Sequence, residues 1–147
     1  MTGHTGFKGS WLAMWLKVLG AQVVGAALEP LSEPSHFQVA GLENILEDHR
    51  LDIRNGDALK YLVSQTQPDF VFHLAAQPLV RQSYLDPVET YQTNVLGTLN
   101  LLEALRQLEK KCVAVLITSD KCYDNVEWVW GYRETDALGG PSSNGGG

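Results

Sequence analysis

The feature of this sequence that most constrains its fold is an alternation of helical stripes with short β-rich runs. Residues 6–19 predict a first helix that stops at Gly20, and residues 22–28 predict a buried strand. Residues 57–65 predict another helix, and strands are predicted at 51–53, 69–74 and 113–118. Residues 37–48 fit neither pattern clearly. Helices that alternate with strands are typical of βα units, so the predicted class is α/β with a doubly wound parallel sheet.

Two predicted helices carry apolar stripes that we expect to face the core. The stripe of the first helix comprises Phe7, Trp11, Leu12, Trp15, Leu16 and Leu19. A long helix is predicted after Tyr84, because Asp86 is a natural N-cap, Pro87 suits the first helical position and Glu89 follows the cap by three residues. The stripe of this second helix comprises Val88, Tyr91, Val95, Leu99, Leu102 and Leu105.

Composition and charge exclude several classes of protein. A chain of 147 residues, 44% hydrophobic and 19% charged, can bury the core of one domain. Its net charge of −6 argues against a nucleic-acid partner.

Residues 10–20 are apolar, but Lys17 interrupts them and they are too short to span a bilayer, so neither a signal peptide nor a membrane partner is expected. Cys112 and Cys122 form no disulfide framework, and we expect a reducing, cytoplasmic setting.

A glycine motif opens the first predicted helix. Its G-x-x-G-x-x-G spacing lets a pyrophosphate approach backbone donors at the positive end of the helix dipole. Glu29 lies 20 residues after the last glycine, where an acid accepts hydrogen bonds from an adenosine ribose and repels a 2′-phosphate. The pattern predicts a site for NAD rather than NADP, and the alternative is a glycine-rich turn with an unrelated surface acid. The predicted contacts in the motif are Gly3, Gly6, Phe7, Lys8 and Gly9.

Further predicted cofactor contacts follow other strands. Asp52 and Ile53 follow a predicted strand at a position where a carboxylate can accept from the adenine amino group and an apolar side chain can contact the adenine ring. By themselves they are ordinary loop residues. Small residues at a strand end let a cofactor cross the sheet, which predicts contacts at Leu74, Ala75 and Ala76. His73 beside them is interpreted as a packed core histidine, and the four scattered histidines give no arguable metal site.

A polar run follows the last predicted strand. Ser119, Asp120 and Lys121 bring a hydroxyl, an acid and an amine to the edge of the sheet that holds the glycine motif. Such groups together indicate a catalytic role, and the alternative is a surface ion pair in a loop.

These motifs resemble the extended short-chain dehydrogenase/reductase family and, within it, the nucleotide-sugar 4,6-dehydratases of the CDP-glucose branch. The resemblance covers residues 2–140 and rests on TGHTGFKGSW, EPLSEPS, DIR, FHLAAQPLVRQSY, DPVETYQTNVLGT, TSDKCYDN and EWVWGYRE. It implies a Rossmann-like domain that binds NAD, a nucleotide-sugar substrate such as CDP-glucose, and a family whose full-length members can form homo-oligomers.

The resemblance also implies roles for the polar run. NAD takes hydride from C4 of the glucose, water is lost across C5 and C6, and hydride returns to C6. Ser119 matches the residue that hydrogen-bonds to the C4 oxygen, and Asp120 matches the acid that protonates the departing C6 hydroxyl. Lys121 stands where related dehydratases keep the base for the C5 proton, and a lysine must be neutral to act as a base.

The sequence also departs from that family. No tyrosine is followed by lysine four residues later, so the family's Tyr-x-x-x-Lys motif is absent, and only two residues precede Gly3. We expect a partial NAD-binding domain over residues 1–138 and a flexible tail over 139–147, with the first strand and the substrate domain missing, two sheet edges unpaired, and no activity from this chain alone. A dehydratase by descent and a non-catalytic dinucleotide-binding remnant both stay open, whereas Asp120 and Lys121 disfavour an epimerase or reductase.

Overall fold

The structure is a computed structural model that describes residues 1–119 and 122–139. The chain divides into two compact units, Met1–Leu116 and the residues from Ile117 on. The first unit contains, in chain order, α1 (Phe7–Val18), β1 (Val24–Ala27), α2 (His36–Val39), a 3₁₀ turn (Leu42–Asn44), β2 (Glu47–Arg50), α3 (Gly56–Thr66), β3 (Phe70–His73), α4 (Val80–Leu85), α5 (Pro87–Tyr91), a π-helical turn (Gln92–Leu96), α6 (Gly97–Arg106) and β4 (Val113–Leu116).

The strands of the first unit are parallel, as the sequence predicts. β1 pairs with β2, and β3 pairs with β4. Thr2 lies between the two pairs and forms parallel bridges to Ala26 of β1 and His73 of β3. The strand order is therefore β2, β1, Thr2, β3, β4, and the order reverses at Thr2, which makes this point the topological switch of the sheet.

The expectation of two unpaired edges at the centre of the sheet is wrong. The Gly3 amide donates to the Ala26 carbonyl at 2.9 Å, and the Thr2 amide donates to the Phe72 carbonyl at 2.9 Å. The first residues of the chain thus occupy the central position, although they form isolated bridges rather than a regular strand. The backbone groups that face them on β1 and β3 therefore have partners.

Two apolar clusters hold the first unit together. One lies between α3, α6 and β3 and consists of Ile53, Leu59, Val63, Val71, Leu101 and Ala104. The other lies beside α1 and consists of Ala13, Val23, Phe37 and Leu42.

The predicted core-facing stripes are wrong for most of their members, although Leu16 and Leu105 pack against the two clusters as predicted. Helix α1 buries Gly9, Ser10 and Ala13 and leaves Phe7, Trp11 and Trp15 exposed, with Trp15 at 65% exposure, whereas Leu12 and Leu16 are partly buried. Helix α6, the last part of the long helix predicted after Tyr84, likewise buries Gly97, Leu101 and Ala104. Small residues let a helix backbone approach the sheet closely, and that contact takes precedence over the larger side chains beside it. The exposed members of the two stripes are Phe7, Trp11, Trp15, Leu19, Val88, Tyr91, Val95, Leu99 and Leu102.

Some element boundaries also differ from the prediction. The strand predicted at 51–53 lies earlier, as β2, whose four residues are all polar or charged and form a strand through backbone pairing with β1. Helix α4 is absent from the prediction. The long helix begins as predicted, since the Asp86 carboxylate accepts a hydrogen bond from the Glu89 amide at 2.9 Å, but a π-helical turn interrupts it.

The second unit is described over residues 117–119 and 122–139. Its aromatic residues associate, with Tyr123 and Tyr132 stacked at 5.3 Å between ring centroids and Trp128 beside Tyr132. Of the tail predicted at 139–147, all but Gly139 lies outside the described residues, and the domain boundary at 138 stays a prediction. Within residues 1–119 and 122–139, no helix has the length and apolar character needed to cross a membrane, and no metal-ligating cluster occurs.

Candidate cofactor-binding site

The glycine motif lies at the switch point of the sheet. Gly3 follows Thr2 directly and has a φ of +74°, in the left-handed region that favours glycine. A Cβ on Gly3 would lie 2.7 Å from the Leu74 carbonyl carbon and 2.7 Å from the Ala75 amide nitrogen. Only glycine therefore fits between the end of β3 and the start of the loop.

The other two glycines have different roles. A Cβ on Gly9 would lie 2.0 Å from the Gly3 carbonyl oxygen, so Gly9 lets α1 pack directly on the loop. A Cβ on Gly6 would meet the protein only at an ordinary contact of 3.4 Å, again with the Gly3 oxygen. The fold itself thus does not require glycine at position 6, and the space it leaves is open to a ligand.

The N-terminus of α1 can receive an anion. Among the described residues, no side chain caps this end of the helix, and its first turn contains no acid. Phe7 and Lys8 are exposed there. Backbone donors and the positive end of the helix dipole therefore face the space beside Gly6, as a pyrophosphate site needs.

Two side chains inside the motif hold the loop in place. The fully buried His4 ring places Nε2 2.9 Å from the Asp48 carboxylate and packs edge-on against Phe37 at 5.3 Å. Burial lowers the pKa of His4. The Thr5 hydroxyl donates to the Leu28 carbonyl at 3.0 Å, which ties the loop to the chain after β1. The role of His4 could not be predicted from the sequence, because its position between two glycines carries no signal of a partner 44 residues away.

Glu29, the predicted ribose acid, lies just after β1 and is largely exposed. Its carboxylate contacts Nε of Arg50 at 3.1 Å, and Nη2 of Arg50 also contacts Asp48 at 2.8 Å. The acid is therefore accessible to a ligand, although Arg50, which no sequence motif indicates, already contacts it.

The structure places Asp52 and Ile53 in a turn after β2. The Asp52 carboxylate accepts from Nη2 of Arg54 at 2.6 Å, and this guanidinium holds the pKa of Asp52 below its usual range. Ile53 is buried, and its side chain fills the space where a Cβ on Gly97 would lie. Asn100 donates to the Ile53 carbonyl at 3.0 Å and thereby fixes the turn. The adenine-binding roles of both residues stay predictions.

Buried hydrogen bonds connect the end of β3 to the loop. His73 lies between two hydroxyls, with Nδ1 2.7 Å from Thr2 Oγ1 and Nε2 3.0 Å from Thr98 Oγ1. These contacts agree with the interpretation of His73 as a packed core histidine, and burial lowers its pKa. The amides of Leu74 and Ala75 both donate to Thr2 Oγ1 at 3.2 Å, whereas Ala76 is exposed.

The predicted catalytic residues belong to the second unit. Ser119 is exposed there. Asp120 and Lys121 lie outside the described residues. The roles of all three residues stay predictions.

The fold and the glycine loop together define a class of protein. A parallel sheet whose order reverses at a glycine loop, followed by a helix with a free N-terminus and a strand-end acid, is the arrangement of dinucleotide-binding Rossmann domains. Within this class, the family model described as GDP-mannose 4,6 dehydratase matches residues 1–143. The chain belongs to that family.

Individual relatives agree with this assignment. The chain is 53% identical over 146 residues to CDP-glucose 4,6-dehydratase of Salmonella typhimurium, and 33% identical over 139 residues to CDP-paratose 2-epimerase of Salmonella typhi. It resembles the structure of Thermus thermophilus UDP-glucose 4-epimerase in complex with NAD, with a TM-score of 0.76 and 29% identity over 95% of the chain. The match covers 98% of the chain for the first relative and 92% for the second. The chain spans 41%, 40% and 43% of these three relatives respectively.

Proposed function

We propose that this chain binds NAD for the dehydration of CDP-glucose to CDP-4-keto-6-deoxyglucose. The observation that carries the proposal is the 53% identity to a CDP-glucose 4,6-dehydratase along 98% of the chain. The CDP-paratose 2-epimerase and the UDP-glucose 4-epimerase match at 33% and 29% identity, so the CDP-glucose dehydratase is favoured over an epimerase.

The residues of the first unit fit NAD. The space beside Gly6 and the uncapped N-terminus of α1 would hold the pyrophosphate, with Phe7 and Lys8 at its rim. The exposed carboxylate of Glu29 would accept hydrogen bonds from the adenosine ribose. The backbone at Leu74 and Ala75, held by Thr2 Oγ1, would form the floor under the cofactor where it crosses the sheet.

NAD, when bound, supplies an acceptor for hydride from the sugar and a donor that returns it. In this proposal Ser119 hydrogen-bonds to the C4 oxygen and so orients it. Asp120 delivers a proton to the departing C6 hydroxyl, and Lys121, when neutral, removes the C5 proton. We place this chemistry in the cytoplasm, because the sequence contains only two cysteines and both are free thiols in the structure.

Cofactor binding is tested by titrating the chain with NAD and following the fluorescence of its four tryptophans. We expect saturable binding that Gly6→Ala weakens by at least about tenfold, because a methyl group displaces a phosphate oxygen from charged hydrogen bonds. Gly131→Ala is the matched control, since a Cβ there meets nothing within 4 Å. Absence of saturable binding, or equal affinity of Gly6→Ala and the unaltered chain, would contradict the proposal.

The reaction itself is tested by incubating the chain with NAD and either CDP-glucose or UDP-glucose and measuring the dehydrated product by mass spectrometry. The Salmonella CDP-glucose 4,6-dehydratase serves as the reference. Since the sequence contains no Tyr-x-x-x-Lys, we expect no product from this chain alone above a control without enzyme, because the loss of a general base by itself lowers turnover by at least about 10²-fold. Turnover equal to the reference, or product from UDP-glucose in preference to CDP-glucose, would contradict the proposed roles.

A further inference from the structure

Arg50 is held beside the predicted ribose acid by several contacts. It is the last residue of β2 and pairs with Ala27, the last residue of β1. Its guanidinium contacts Glu29 through Nε at 3.1 Å and Asp48 through Nη2 at 2.8 Å, and its central carbon lies 5.2 Å from the centre of the Phe37 ring. Arg50 is therefore fixed at the carboxyl end of the sheet, next to the acid that would bind the cofactor's ribose.

The two carboxylates hold Arg50 unequally. The Glu29 side chain is 75% exposed, so its ion pair with Arg50 is screened by solvent and weak. The Asp48 side chain is only 17% exposed and also contacts the buried His4 ring at 2.9 Å. Asp48 and Phe37 therefore anchor Arg50, and the loss of the Glu29 charge would leave the guanidinium in place with its Nε donor available.

We propose that Arg50 is a latent ligand for the 2′-phosphate of NADP, and that the ion pair with Glu29 keeps its guanidinium occupied. The inference rests on the proposed binding of NAD. Two carboxylates and one guanidinium leave a net negative charge at this point, which repels a phosphate group. Without the Glu29 charge, the planar guanidinium presents its donors to a phosphate in the geometry that arginine and phosphate prefer. The preference for NAD would thus depend on the exposed carboxylate of Glu29, which pairs with the guanidinium of Arg50.

The test is a titration of four proteins with both cofactors, namely the unaltered chain, Glu29→Gln, Arg50→Gln and the double variant. We expect Glu29→Gln to raise the affinity for NADP itself by at least about tenfold over that of the unaltered chain, which is the lower end for a hydrogen bond to a charged group. The double variant should lose this gain, and Arg50→Gln alone should keep the preference for NAD. Arg54→Gln in the Glu29→Gln background is the matched control, because Arg54 pairs with Asp52, and there the gain should persist.

Thermal unfolding followed by circular dichroism checks that each variant folds. Should Arg50→Gln unfold, Arg50→Met keeps the packing on Phe37 and replaces it in the comparison. A gain that survives the loss of Arg50, or no gain from Glu29→Gln, would overturn this inference and leave the binding of NAD intact. If the unaltered chain binds neither cofactor, both the proposed function and this inference fail.

Discussion

Gly9→Ala tests how closely helix α1 packs on the glycine loop. The new Cβ would lie 2.0 Å from the Gly3 oxygen, 2.8 Å from the Gly3 carbonyl carbon and 2.9 Å from the His4 Cα. All three obstacles are backbone atoms, so no side chain can rotate away to make room. To reach even 3.0 Å from the oxygen, the helix and loop must separate by about 1 Å, a shift that a close-packed core resists.

The separation should lower the free energy of unfolding by at least about 3 kcal/mol, the upper end of the usual effect of overpacking. It would displace the buried Ala13 from the cluster around Phe37, and it would move His4 away from Asp48. Such a loss is a large part of the roughly 5–15 kcal/mol that stabilises a typical domain.

Urea denaturation followed by circular dichroism measures this change, and Gly6→Ala is its matched control. Alanine at position 6 makes an ordinary contact and replaces a residue with φ of −73°, so its stability should stay within about 1 kcal/mol of the unaltered chain. Gly6→Ala should thus weaken NAD binding with little change in stability, whereas Gly9→Ala should lower the stability itself. Equal stability of the two variants would refute the assignment of separate roles to the two glycines.

Two further predictions concern stability. Leu101→Ala should lower the free energy of unfolding by about 2–5 kcal/mol, because Leu101 of α6 is buried in the cluster against α3 and β3. Leu102 is exposed, so Leu102→Ala should lower the free energy of unfolding by less than half as much in the same urea titration. Burial lowers the pKa of His4 and His73 below the ordinary value of 6.5 and lowers the pKa of the Met1 ammonium from 8.0 to about 6, so the unfolded chain binds more protons than the folded chain between these values. The urea midpoint should therefore be constant only above about pH 9, and it should fall as the pH decreases through 8 and then through 6.5. His73→Gln should reduce that pH dependence, and an unchanged dependence in this variant would contradict the assignment of His73.

Short-range signals made the fold class and part of the site predictable from the sequence. The glycine motif is a short-range signal, because its three glycines lie within one loop and the first turn of the helix that follows. The Asp86 cap is likewise a contact between residues three positions apart. The buried faces of the two long helices were not predictable in this way. Periodicity identifies the repeat of a helix, but the arc that meets the sheet depends on which residues are small enough for backbone contact, as Gly9 and Ala13 show.

The partners of the predicted acids were hidden for a different reason. Arg50 meets Glu29 only because β1 and β2 pair in the register that places Ala27 beside Arg50, and His4 meets Asp48 through the same pairing. A strand of four polar residues carries no apolar alternation, so the sequence pattern gave neither the strand nor its register. Contacts across a sheet need the register before any side-chain pair can be inferred.

The two predicted cofactor acids, Glu29 and Asp52, should contribute unequally to binding. Glu29 is 75% exposed and contacts Arg50 at 3.1 Å, so this ion pair is weak. Replacing it with hydrogen bonds to ribose hydroxyls therefore costs little free energy. Asp52 already accepts from Arg54 through Nη2 at 2.6 Å, Nε at 2.8 Å and the backbone amide at 2.9 Å, which leaves its carboxylate little unused capacity for an adenine amino group. We therefore expect Glu29→Gln to weaken NAD binding by at least about tenfold and Asp52→Asn by less than about threefold in the same fluorescence titration. If Asp52→Asn weakens binding as much as Glu29→Gln does, while both variants unfold at the temperature of the unaltered chain, the Arg54 contact does not compete with the cofactor and this ranking is wrong.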